Sequence, residues 1–182
     1  AVTICILSSS IHGNTANNCS ALYVDNKFSA NSVKKGVSLE IDSCTISDSY
    51  YGLYISTQEF LSGSDMEVIS IKNTHFTDLI SNSIYTDYDI KFADTNYFTN
   101  TDSSSLENSA IYLNWHESFN PVLDIESATA FNGASVYLTL PDDAYQENNQ
   151  LITGTELSSV YSSIQMVKSG WFLNELGKLI PN

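Results

Sequence analysis

The chain has 182 residues, 42% of them hydrophobic, and sets 21 Asp and Glu against 7 Lys and no Arg, a formal charge of −14. That length supports the core of one domain, while the absence of clustered basic residues beyond Lys34–Lys35 excludes nucleic acid and an anionic membrane surface as partners, because phosphate neutralisation needs grouped Lys or Arg. No apolar run approaches the roughly 18 residues a membrane span requires, and Ala1–Ile6 lacks the basic start of a signal peptide.

In chain order, one spacing recurs. An apolar pair two residues apart is followed five residues later by another apolar or aromatic residue, at Ile4/Ile6/Ile11, Leu39/Ile41/Ile46, Ile69/Ile71/Phe76, Ile90/Phe92/Tyr97 and Leu123/Ile125/Ala130. Each pair has strand period, since residues i and i+2 share a face. A bend of short polar residues follows, and stacking the periods gives one column reading Ser8, Ser43, Asn73, Asp94, Ser127 and a second reading Ser9, Cys44, Thr74, Thr95, Ala128. Each period then carries a small residue and an apolar–Tyr–apolar or apolar–Tyr–Thr triplet, centred on Tyr23, Tyr54, Tyr85, Tyr112 and Tyr137, at separations of 31, 31, 27 and 25 residues. Repeats of this length, with two strands per period and no amphipathic helix between them, predict a solenoid of parallel strands.

Over residues 1–140 this predicts β-helix coils, and residues 141–182 complete the same domain with closing strands and a cap. Beyond Pro141 the spacing decays. Gln150–Thr155 followed by Val160-Tyr161 predicts a last strand pair, and Trp171-Phe172-Leu173, Leu176, Leu179 and Ile180 have the spacing of an amphipathic helix ended by Pro181. The first coil is in register from Ile4 with nothing ahead of it to cover an open strand edge. Attachment to further N-terminal coils or to another chain is therefore expected.

Cys5, Cys19 and Cys44 allow at most one intramolecular disulfide, and the bland expectation is buried thiols. No His stands at metal-ligand spacing from them, and His12, His75 and His116 occupy different repeat positions, so neither a metal nor another cofactor is expected.

The inward Ile or Leu pairs with Ser, Asn and Thr at the bends resemble the right-handed parallel β-helix family that includes pectate lyases, phage tailspikes and autotransporter passengers. The resemblance implies an all-β fold of about five to six coils with a short C-terminal helical cap. The end of the chain is similar to that of autotransporter passengers. It leaves function open, since the coils look alike whatever the protein does.

Two surfaces are candidates. If the neighbours of Tyr23, Tyr54, Tyr85, Tyr112 and Tyr137 face inward, strand alternation turns the five rings outward as an aromatic strip. Flanking the inward pairs, the columns Cys5, Glu40, Ser70, Lys91, Asp124 and Leu7, Asp42, Lys72, Ala93, Glu126, with Asp94 beside them, make a charged face. Asp42, Lys72, Lys91, Asp94 and Glu126 could serve a polysaccharide lyase or glycosidase, yet cross-coil ion pairs such as Asp42–Lys72 explain them without chemistry. The expectation is a secreted or surface-exposed adhesin-like scaffold that binds a polysaccharide or a host or cell-surface protein, rather than a complete enzyme. A tailspike-like polysaccharide-degrading enzyme and a purely structural shaft are the alternatives.

Overall fold

The computed structural model describes residues 2–14, 20–25, 37–56, 66–99, 110–115, 120–132 and 135–182. Cys19, Lys34, Lys35 and His116 lie outside them. The first coil is β1 (Val2–Leu7), β2 (Ser10–Ile11) and β3 (Ser20–Asp25), the second β4 (Val37–Asp42), β5 (Thr45–Ser49) and β6 (Tyr51–Ser56). The third is β7 (Met66–Lys72), β8 (His75–Leu79) and β9 (Ile84–Thr86), the fourth β10 (Ile90–Ala93), β11 (Tyr97–Phe98) and β12 (Ile111–Leu113). Two further rungs follow, β13 (Leu123–Ile125) with β14 (Val136–Thr139), and β15 (Ile152–Thr153) with β16 (Ile164–Met166).

Strands of equal place pair in parallel, in the orders β1-β4-β7-β10-β13-β15, β2-β5-β8-β11 and β3-β6-β9-β12-β14-β16. The fold is thus a parallel β-solenoid. It has four complete three-strand coils, fewer than the expected five to six, followed by two rungs that lack a middle strand. The middle sheet stops at β11; the next segment turns on itself, while Asn96 N still donates to Ala130 O at 3.0 Å. Ser127 Oγ and Thr129 Oγ1 lie 2.9 Å apart, and Ala130 N donates to Ser127 O at 3.0 Å. Such local bonding of Ser and Thr competes with a ladder.

From the second coil on the core forms as the spacing requires; in the first coil Ile4 is exposed and Ile6 only half-buried. Leu39, Ile41, Ile69, Ile71, Ile90, Phe92, Leu123 and Ile125 from the first sheet meet Leu53, Ile55, Ile84, Ile111 and Leu113 from the third, all at most 2% exposed. The bends share one device. Ser8, Ser43, Asn73 and Asp94 all take the left-handed conformation, with φ between 48° and 57°, which short polar side chains tolerate better than branched ones. The next side chain then donates back to the carbonyl two residues earlier, from Ser9 Oγ to Leu7 O (2.8 Å), Cys44 Sγ to Asp42 O (3.3 Å) and Thr74 Oγ1 to Lys72 O (2.9 Å).

The fourth bend departs from this pattern. Phe98, not Tyr97, pairs with Phe76, because Asn96 enters as an extra residue. Its buried amide takes over the bend, accepting from Thr74 N at 3.1 Å and donating to Ala93 O at 3.1 Å. Phe98 then stacks on Phe76 at 5.1 Å, and Phe131 packs edge-on against Phe92 and Phe98.

The C-terminal segment differs from the sequence reading in placement. Val160-Tyr161 is not a strand; Leu157–Val160 forms the short helix α1, Tyr161–Ser163 continues as a 3-10 turn, and the closing strand is β16. The stretch expected to be a helix is instead an antiparallel hairpin of β17 (Trp171–Leu173) and β18 (Leu179–Pro181). Asn174 organises its turn, with Oδ1 accepting from Leu176 N and Lys178 N at 3.0 Å each, and Gly177 supplies φ 72°. Leu176, counted in the helical stripe, is 61% exposed at the turn.

Candidate functional site

The third sheet carries the tyrosine strip. Register pairs Tyr23 with Tyr54, Tyr54 with Tyr85 and Tyr85 with Tyr112. Their inward neighbours Leu53, Ile55, Ile84, Ile111 and Leu113 are buried, so the four rings point outward. Centroids are 5.4, 4.3 and 5.0 Å apart in turn, with interplanar angles of 17°, 2° and 7°. Strand spacing sets this distance. Tyr23 is exposed and Tyr54, Tyr85 and Tyr112 are half-buried.

Tyr137 does not join them. β12 meets β14 with Ile111 opposite Leu138 and Tyr112 opposite Thr139, two residues out of step with the expected alignment, and Tyr137 sits opposite Gln165. A two-residue slip preserves which side chains face the core, so the same apolar pattern fits either register. Leu138 and Leu140 are buried. Conversely, Tyr51 belongs to the strip although no triplet flagged it. Its ring stands edge-on to Tyr50, Tyr54 and Tyr85 at 4.9, 5.3 and 6.5 Å. The Tyr50-Tyr51 pair ahead of Gly52 was the available signal.

Burial pushes the phenols of Tyr54, Tyr85 and Tyr112 above their ordinary value. A hydrogen bond with Tyr85 partly offsets this for Tyr54, and the Asp87 carboxylate adds to it for Tyr54 and Tyr85. Asp142 and Asp143 lie on the Tyr112 side, so the strip is acidic at its edges. A pKa raised on folding means stability is fully present below the unfolded value near 10 and is lost as pH rises through the folded values. Melting temperature is therefore expected to fall above about pH 10, with some phenolate absorbance appearing only as the coils unfold. If every tyrosine ionised near pH 10 with the far-ultraviolet circular dichroism unchanged, this account of the stack would fail.

The first sheet carries the charged face in the expected columns, since Cys5, Glu40, Ser70, Lys91 and Asp124 are in register, as are Leu7, Asp42, Lys72 and Ala93. Lys72 Nζ lies 2.9 Å from Glu40 Oε1 and 3.5 Å from Asp42 Oδ2. Asn73 Nδ2 reaches Asp42 Oδ1 and Asp94 Oδ2 at 3.3 Å each, which ties Asp42, Lys72 and Asp94 into one network. Lys91 pairs separately with Glu126 at 2.6 Å. Burial raises the Asp42 pKa, but hydrogen bonds from Ser43 and Asn73 and the charge of Lys72 outweigh it and leave the carboxyl below its usual range. Bonds to Glu40 and Glu126 hold the Lys72 and Lys91 ammonium groups above theirs. Beside Lys91 runs a groove of about 300 Å³ bordered by Val68, Asp89, Val122 and Asp124. Within it, Asp89 accepts from Val122 N at 2.8 Å.

Fold and surfaces together define a parallel β-solenoid with one aromatic and one charged side face. No known protein family, curated protein or solved structure matches the chain, so kinship with pectate lyases or autotransporters has no support beyond the shared architecture. Among the described residues no helix is long and apolar enough to cross a membrane.

Proposed function

We propose that this solenoid is a secreted or surface-exposed binding scaffold, adhesin- or passenger-like, that engages a protein partner along the tyrosine strip. The observation that carries this is the outward stack Tyr23–Tyr54–Tyr85–Tyr112, a row of rings that is neither buried in the core nor scattered. Rings stacked this closely cover one another's faces, so they present edges and phenol oxygens outward. Sugar rings need open aromatic faces, whereas protein interfaces accept tyrosine edges and hydroxyls readily. The acidic edge of the strip and the charge of −14 favour a partner rich in Lys or Arg. The abundance of Ser, Asn, Thr and Tyr and the shortage of basic residues suit an extracellular surface.

The charged face gives less support to a polysaccharide-degrading reading. A lysine base needs a lowered pKa, and both lysines are instead held protonated by carboxylates. The test is binding of the labelled chain to an array of purified extracellular-matrix and cell-surface proteins, alongside Tyr23→Ser and Tyr54→Phe variants. At least one array protein is expected to bind, with affinity reduced about tenfold by either strip variant and unchanged by Lys91→Ala. Failure to bind any array protein, binding insensitive to the strip, or reproducible cleavage of acidic or neutral polysaccharides would overturn the reading.

A further inference from the structure

The C-terminal hairpin borders a second, open cavity. It holds about 300 Å³ and is lined by Tyr161, Ser162, Gln165, Met166, Trp171 and Phe172 among others. This is the lower end of the volume range for small-molecule sites. Tyr161 opens the 3-10 turn ahead of β16, Gln165 and Met166 are in β16, and Trp171 and Phe172 are in β17. Gln165 Nε2 donates to Ser135 Oγ at 3.2 Å.

Three properties separate this cavity from the tyrosine strip. First, among the described residues none of the rings of Tyr161, Trp171 and Phe172 stacks on another; Trp171 instead makes a tilted contact with Tyr145 at 5.8 Å. Phe172 is 49% exposed, so its ring surface is available to a ligand, while Trp171 packs partly against the core. Second, the lining carries no carboxylate and no ammonium. Third, the polar groups beside the rings are an amide and a hydroxyl, which can both donate and accept. Aromatic rings next to such groups suit a ligand with an apolar C–H face and a rim of hydroxyls. The missing lysine or arginine, in a chain of charge −14, disfavours anionic ligands.

We infer that this cavity is a binding site for a neutral sugar ring, terminal or within a short oligosaccharide. It is independent of the tyrosine strip, and its test is separate from the protein array. The full chain is titrated with cellobiose, maltose, lactose and N,N′-diacetylchitobiose, followed by calorimetry and tryptophan fluorescence, to which Trp171 contributes from within the cavity. At least one disaccharide is expected to bind saturably with Kd on the order of 1 mM. Phe172→Ala and Gln165→Ala, both at exposed positions, are expected to weaken it about tenfold, with unchanged circular dichroism. Tyr23→Ser leaves it intact, and digalacturonate does not compete. No saturable response to any of the four sugars, or binding that survives both cavity variants, would overturn the assignment.

Discussion

Replacing Phe76 with alanine is expected to destabilise the chain by about 3–5 kcal/mol, the range for removing a fully buried Phe side chain. Phe76 is fully buried in β8, the middle strand of the third coil. Its ring stacks on Phe98 at 5.1 Å and touches the position that a Cβ on Gly52 would occupy. Solenoid rungs are stabilised chiefly by their neighbours, so a cavity here weakens the contacts above and below it together. Against a total stability of about 5–15 kcal/mol, the loss is a large fraction. Urea denaturation followed by circular dichroism should show a lower midpoint with an unchanged slope. A midpoint within error of the parent would mean that the stack does not depend on its aromatic interior.

Gly154→Ala is expected to cost on the order of 3 kcal/mol or more, through two mechanisms acting at one atom. The residue follows β15 with φ 121°, a conformation L side chains rarely adopt and one that costs about 1–3 kcal/mol when forced. A Cβ there would also overlap the backbone N and O of Ile125 in β13, the neighbouring rung. Backbone cannot move aside as a flexible side chain can, so overpacking adds to the strain. Gly170→Ala is the comparison: φ is 81° there, but no atom lies within 4 Å of the added carbon. The difference in melting midpoint between the two variants reports the steric overlap together with the more strained φ of Gly154. Equal losses would show that conformation alone matters at Gly154.

The parts of this fold legible in the sequence are those in which every coil repeats the same physical demand. The pairs Leu39/Ile41, Ile69/Ile71 and Leu123/Ile125 must face inward, and the bend after each of the first four pairs of the chain must accept a left-handed residue, so Ser8, Ser43, Asn73 and Asp94 mark it. The misses fall where one coil solves the problem differently. Asn96 replaces a hydroxyl with an amide and adds a residue, which moves Phe98 into the column read as Tyr97. The pairing of Tyr112 with Thr139 turns on a two-residue slip that alternation alone cannot distinguish. At the chain end, the spacing of Leu173, Leu176 and Leu179 satisfied a helical period. The outcome was decided by the hydrogen bonds of Asn174 and the positive φ of Gly177, neither of which enters a hydrophobic pattern. Of the candidate surfaces, four members of the strip and the charged columns were readable from register. The C-terminal cavity was not, because it exists only once the hairpin folds over β16.

The regular spacing of the strip also makes it an optical element. Phenol rings held nearly parallel at 4.3–5.4 Å bring identical electronic transitions close enough to couple. Their near-ultraviolet dichroism then belongs to the array rather than to any one ring. Each coil that separates shortens the array by one chromophore, so the chain carries an internal gauge of how many rungs remain stacked.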